Sequence, residues 1–146
     1  MDELSLDIIA QPADERLIDR MAEGLDRTIP PGVAAYGPAP LTIVLRDTGG
    51  KVNGGLVGES VWDWLHVKYL WVTEARQGEG LGRRLLGAAE AEAERRGLTG
   101  LWLNTFSFQA PAFYEKLGYR LFGRIDDFPG GHVRRFYQKR LDRTRR

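Results

Sequence analysis

The chain has no cysteine among its 146 residues, which excludes disulfides, thiolate nucleophiles and thiolate metal sites. It has two histidines, His66 and His132, far apart in sequence, so a histidine-rich metal site is excluded; nothing motivates the alternative of a carboxylate-assisted site, and no metal is expected. It also lacks an excess of either charge: 21 Lys and Arg stand against 20 Asp and Glu, for a formal net charge of +1. A protein that coats nucleic acid usually has a strongly basic footprint, so no nucleic-acid partner is expected. No apolar run is long enough to span a bilayer; the stretch over residues 33–45 is broken by Gly37, Pro38 and Pro40. The start, Met1-Asp2-Glu3-Leu4, is acidic and has no apolar core of a signal peptide, so a cytoplasmic location is expected. The length suits one domain over residues 1–146, with a core that needs no metal or disulfide support. The basic cluster Arg140, Arg143, Arg145 and Arg146 reads as a solvated tail, the alternative being a place near a bound phosphate.

What is present is a regular alternation of elements. Leu4, Leu6 and Ile8 alternate with polar residues and predict a first strand. Leu17, Met21 and Leu25 recur at helical spacing behind Asp14, a suitable cap. A breaker cluster from Pro30 to Pro40 follows, then strands over residues 42–46, 52–62 and 66–73. Glycines 54, 55 and 58 in the second of these mark bulges or close backbone contacts. Leu81, Leu85, Ala89 and Ala93 give the next helix a buried stripe that ends at Gly97. Residues 101–106, a helix over 109–117, then 119–125 and 133–141 complete the order. The chain is therefore α/β. Hairpins come first and one helical crossover joins the fourth and fifth strands, which argues against a doubly wound parallel sheet.

The most informative stretch joins the fourth strand to its helix. Tyr69, Leu70, Trp71 and Val72 run into Gln77-Gly78-Glu79-Gly80-Leu81-Gly82-Arg83, which opens the helix. Such a turn gathers unpaired amides and the helix dipole at one point, a setting that binds phosphate. A Walker loop requires Lys then Ser or Thr after its last glycine, and here Arg83 follows Gly82. A dinucleotide fingerprint fails in both registers, at Arg83 and at Leu85.

The pattern that fits is Gln-x-x-Gly-x-Gly over residues 77–82, and it resembles the acyl-CoA motif of the GNAT superfamily of N-acetyltransferases. Downstream, Ser107-Phe108-Gln109-Ala110-Pro111-Ala112-Phe113-Tyr114-Glu115-Lys116-Leu117-Gly118-Tyr119 resembles the family's second signature, in the expected order and at about the expected separation. The family usually has Asn where Ser107 stands; a serine hydroxyl can still cap the helix. The resemblance covers roughly residues 42–141, and the stretches around Trp62, Phe108 and Asp126 are similar to a group of small bacterial GNAT proteins. It implies the GNAT fold: a central mixed sheet of about seven strands, mostly antiparallel, splayed between strands four and five, with three to four helices.

The resemblance also implies a site. The pantetheine arm of acetyl-CoA would enter the splay and pair with the backbone of Leu70, Trp71 and Val72. The pyrophosphate would sit among Gln77, Gly78, Glu79, Gly80, Leu81, Gly82 and Arg83, with Ser107 nearby. Tyr114 matches the family's general acid at the sulfur, since a phenol of pKa about 10 is protonated at neutral pH. His66 starts the fourth strand, where some members carry a glutamate base, and an imidazole can accept a proton there. Glu59, Asp63 and ordered water are alternatives.

For the acceptor, acidic groups beside aromatic surfaces suit a cation. Tyr36, Trp62, Asp63, Trp64, Asp126 and Asp127 are the candidates, although the Asp pair is equally what a turn requires. The expected reaction is acetyl transfer from acetyl-CoA to a primary amine by direct attack in a ternary complex, a small cationic amine being favoured. Rivals are a protein N-terminal or lysine acetyltransferase and a non-catalytic acyl-CoA-binding module. The expected partners are acetyl-CoA and an amine acceptor, with no membrane; a homodimer is compatible with the sequence.

Overall fold

The computed structural model describes residues 2–141. The chain divides into two compact units between Ala35 and Tyr36. The first holds one helix, α1 (Glu15–Asp26), whose N-cap is Asp14: its carboxylate accepts from the Arg16 amide at 2.8 Å. Glu15 in the first turn adds a second negative group at the positive end of the helix dipole. The strand expected from Leu4, Leu6 and Ile8 is absent; residues 2–10 form no regular element. Alternation specifies which side chains would share a face, but a strand persists only where its backbone groups find a partner strand.

The second unit carries a six-stranded sheet rather than one of about seven strands, in the order β1-β2-β3-β4-β6-β5. The strands are β1 (Ala39–Arg46), β2 (Val52–Val61), β3 (Trp64–Val72), β4 (Gly100–Phe106), β5 (Arg120–Asp126) and β6 (Val133–Arg140). Helices α2 (Leu81–Arg95) and α3 (Pro111–Lys116) supply the two crossovers, and the chain includes a short 3-10 turn over Glu74–Arg76. Arg140 ends β6, while Arg143, Arg145 and Arg146 lie outside the described residues.

Neighbouring strands are antiparallel except β3 and β4, which run parallel for three rungs: Trp64 with Gly100, Leu65 with Leu101, and His66 with Trp102. Beyond these rungs the two strands part. The cause lies on the other edge of β3. Val57 faces Tyr69 but Gly58 faces Val67, so Lys68 is an extra residue that bulges β3 and turns its second half away. Gly58 makes the close approach possible, because a Cβ there would stand 2.7 Å from the His66 carbonyl oxygen.

The core lies between the sheet and α2. Leu85, Leu86, Ala89 and Ala93 on the helix pack against Leu56, Leu65, Val67, Leu101 and Leu103 from the strands. Each fully buried leucine contributes about 1.5–3 kcal/mol relative to exposure. Arg96 ties the end of α2 to the sheet edge: Nη1 donates to the Ala39 carbonyl at 3.2 Å and Ser60 Oγ at 3.1 Å, and Nη2 to the Pro40 carbonyl at 3.0 Å. Alternation along β4 buries Leu101, Leu103 and Thr105 on the helix side and sets Trp102, Asn104 and Phe106 on the opposite face.

Candidate active site

Where β3 and β4 separate, the structure has a cavity of about 740 Å³. One wall is the second half of β3, the floor includes Asn104 and Thr105 of β4, and Phe113 and Tyr114 of α3 close the far side. The glycine loop between β3 and α2 forms the rim.

Local chemistry shapes that rim. Gly80 is the N-cap of α2 and adopts φ 76°, a left-handed conformation that glycine takes without the Cβ penalty. It offers no side-chain cap, and no acidic residue stands in the first turn of α2. The first-turn amides therefore keep free hydrogens and the positive end of the dipole is not offset, the reverse of α1. Arg76 and Arg83 line the same region and add positive charge. Gln77 holds the loop against the strand end through Nε2, which donates to the Val72 carbonyl at 3.3 Å. The rim is thus suited to an anion of phosphate type.

Leu70, Trp71, Val72, Gln77, Gly78, Gly80, Leu81, Gly82 and Arg83 all line the cavity. Glu79 does not; its carboxylate receives Arg76 Nε at 2.8 Å. Ser107 also lies off the cavity wall. Its expected capping role is replaced by another: Oγ accepts from the Val133 amide at 3.0 Å and lies 3.3 Å from His132 Nδ1. The N-cap of α3 is Ala110, without a side-chain cap, and Pro111 opens the helix.

Tyr114 lines the cavity and is largely enclosed by Phe113, Tyr119 and Tyr137, whose ring centroids lie 5.1, 6.1 and 6.1 Å away. This burial raises the pKa of its phenol, so the hydroxyl stays protonated well above neutrality. His66 lies outside the cavity wall, stacked on Trp102. Its Nε2 is buried and has no hydrogen-bond partner among the described residues. Burial first and the Lys68 ammonium second push its pKa below the ordinary histidine value, Glu59 opposing them. Glu59 itself pairs with Lys68 Nζ at 3.4 Å.

The expected acceptor residues are dispersed. Tyr36 meets Trp62 edge to face at 5.1 Å, beside Asp63 in the β2–β3 turn, whose carbonyl accepts from the Thr99 amide at 2.7 Å. Trp64 lies under Arg140 Cζ at 5.7 Å. Asp126 receives Arg124 Nε at 3.0 Å, and Asp127 accepts from the Gly131 amide at 3.3 Å within its turn. None of these side chains lines the cavity. Sequence reasoning passed over Lys68, Asn104, Thr105 and Gln109, all of which do. Asn104 carried a usable signal as the one amide in the apolar run Leu101-Trp102-Leu103-Asn104. Among the described residues no group of three or more potential metal ligands occurs, and no helix is long and apolar enough to cross a membrane.

Comparison with known proteins agrees with this geometry. The family described as Acetyltransferase (GNAT) matches residues 10–119. A Blasticidin-S acetyltransferase of Streptomyces morookaense is 47% identical over 93 residues, which cover 63% of this chain and 68% of that protein. An acetyltransferase of Agrobacterium fabrum is 36% identical over 101 residues, covering 69% and 74%. The crystal structure of an acetyltransferase from Bacillus cereus superposes with a TM-score of 0.82 at 32% identity, covering 92% of this chain and 98% of that one. Splayed strands, glycine rim and relatives lead to the same conclusion: the chain belongs to the GNAT family and is an acetyl-CoA-dependent N-acetyltransferase.

Proposed function

We propose that the enzyme transfers the acetyl group to the primary amine of a small molecule, by direct attack within a ternary complex. One observation carries this reading: the parting of β3 and β4 brings the glycine rim, the free edge of β3 and Tyr114 around a single cavity. An acyl-CoA laid along that cavity reaches an anion-binding rim at one end and a proton donor at the other.

The chemistry then balances. The acceptor ammonium first gives up one proton to free its lone pair. The lone pair attacks the acetyl carbonyl carbon, the C–S bond breaks, and the nitrogen gives up a second proton; one proton ends on the CoA thiol and the other in solvent. Tyr114, protonated at neutral pH, supplies a proton to the departing thiolate. We assign acceptance of the amine proton, through water, to His66 in the last rung before the parting. Its depressed pKa keeps it in the neutral, accepting form at pH 7. No covalent acyl-enzyme is required, and the chain has no cysteine to form a thioester one.

The Blasticidin-S acetyltransferase relative supports a small-molecule acceptor over a protein acceptor. The test is a panel of small amines and of peptides with free N-termini or lysines, each incubated with acetyl-CoA and assayed for released CoA. Turnover of small amines well above the peptides is expected; preference for the peptides overturns the reading.

A further inference from the structure

Arg134 on β6 is held in an unusual setting. Its guanidinium carbon lies 5.4, 4.9 and 5.5 Å from the ring centroids of Phe106, Phe128 and Phe136. Its Nε donates to Asn104 Oδ1 at 2.8 Å, and Asn104 lines the cavity. The residue is half-buried, yet no carboxylate among the described residues pairs with it, and neither Nη has a hydrogen-bond partner there. Arg76, Arg95, Arg96 and Arg124, by contrast, each have an acidic partner.

A guanidinium loses hydration when aromatic faces cover it, and burial without a counter-charge is costly. The aromatic box offsets part of that cost. It also fixes the plane of the group, while the Asn104 contact occupies Nε and leaves the two terminal nitrogens as a fork. Such a fork matches the two oxygens of a carboxylate. The field of Arg134 also reaches His66, where it helps to disfavour a proton, so the two residues share one neighbourhood beside the cleft.

We propose that Arg134, oriented by Asn104 and the three phenylalanines, reads a carboxylate on the acceptor, so that the substrate is an amine that also carries a carboxylate group. The amine is then directed to the cleft and the acid to the opposite side of Asn104. This specificity role rests on the small-amine reading above.

Matched pairs test it: free amino acids with α, β or γ amines, each against its carboxamide and against the aminoalkylphosphonate of the same length, assayed for CoA release with the full chain. The acids are expected to exceed their amides in kcat/KM by about tenfold or more, the scale of a charge-assisted pair. Arg134→Met keeps the apolar stem and should raise KM for the acids far more than for the amides. Arg134→Lys keeps the charge without the fork and should restore only part of the preference; it also carries the test if the methionine variant fails to fold. Equal turnover of acids and amides, or an equal loss on both in the variants, overturns the proposal. Phosphonates outrunning the acids overturn the carboxylate assignment. No release from any member overturns the small-amine reading, and the proposal with it.

Discussion

The His66 ring lies flat on Trp102, with centroids 3.7 Å apart and planes 5° from parallel. These two residues also form the last rung before β3 and β4 separate, so the stack closes the parallel ladder at the point where the cleft begins. It buries the imidazole against an indole, and among the described residues Nε2 has no hydrogen-bond partner.

A pH dependence of stability follows. Burial lowers the pKa of folded His66 below the value of about 6.5 that the unfolded chain retains. As pH falls through 6.5 the unfolded state takes up a proton that the folded state resists, so stability falls, and the loss levels off below the folded pKa. His66→Gln should flatten that slope, seen as urea midpoints compared between pH 7.5 and 5. An unchanged slope would mean that the fold does not hold the imidazole neutral. In the same variant the acid limb of the pH–rate profile should change; a wild-type profile would pass the base role to water.

Gly80→Val should abolish acetyl-CoA binding while the sheet still folds. A β-branched residue at φ 76° costs roughly 1–3 kcal/mol and turns the rim amides from their present aim. Calorimetric titration with CoA reads the outcome, and an unchanged affinity in the folded variant removes the loop from the binding site.

Tyr114→Phe retains the packing with Phe113, Tyr119 and Tyr137 and deletes only the hydroxyl. We expect kcat to fall on the order of a hundredfold, with little change in acetyl-CoA affinity. Near-normal turnover with chemistry rate-limiting would make the phenol structural.

Arg96→Met should lower stability by about 1–3 kcal/mol, because the Ala39 and Pro40 carbonyls and Ser60 Oγ lose a charged donor. The denaturant midpoint is the measure, and kcat should be unaffected. A loss of activity in parallel would place the helix end in the catalytic machinery.

Much of this architecture is local and was readable in the chain. The glycine spacing at 78, 80 and 82 announces a turn into a helix, and α2 indeed begins at Leu81 after a left-handed Gly80. The crossover between the fourth and fifth expected strands is the parallel β3–β4 pair. What was not legible depends on partners distant in sequence. Leu4, Leu6 and Ile8 have a strand's pattern but no strand to pair with. Ser107 looks like a helix cap until β6 arrives and its Val133 amide takes the hydroxyl. Arg134 is an unremarkable basic residue in sequence; only the register of β4 against β6 and the turn carrying Phe128 surround it with rings.

The parting of β3 and β4 gives the sheet two interior margins, the kind of exposed peptide row that proteins usually confine to their outer edges. Water must hydrate these rows while the enzyme waits, and an extended, amide-bearing substrate laid between them would act as a temporary strand. Loading should therefore slow hydrogen exchange at Leu70 and Val72 and raise the melting temperature. The gain is expected to be about 2.7 kcal/mol at a hundredfold excess of acetyl-CoA over its Kd. In that sense the fold would reach its full set of rungs only with the donor in place, and would lose them each time CoA departs.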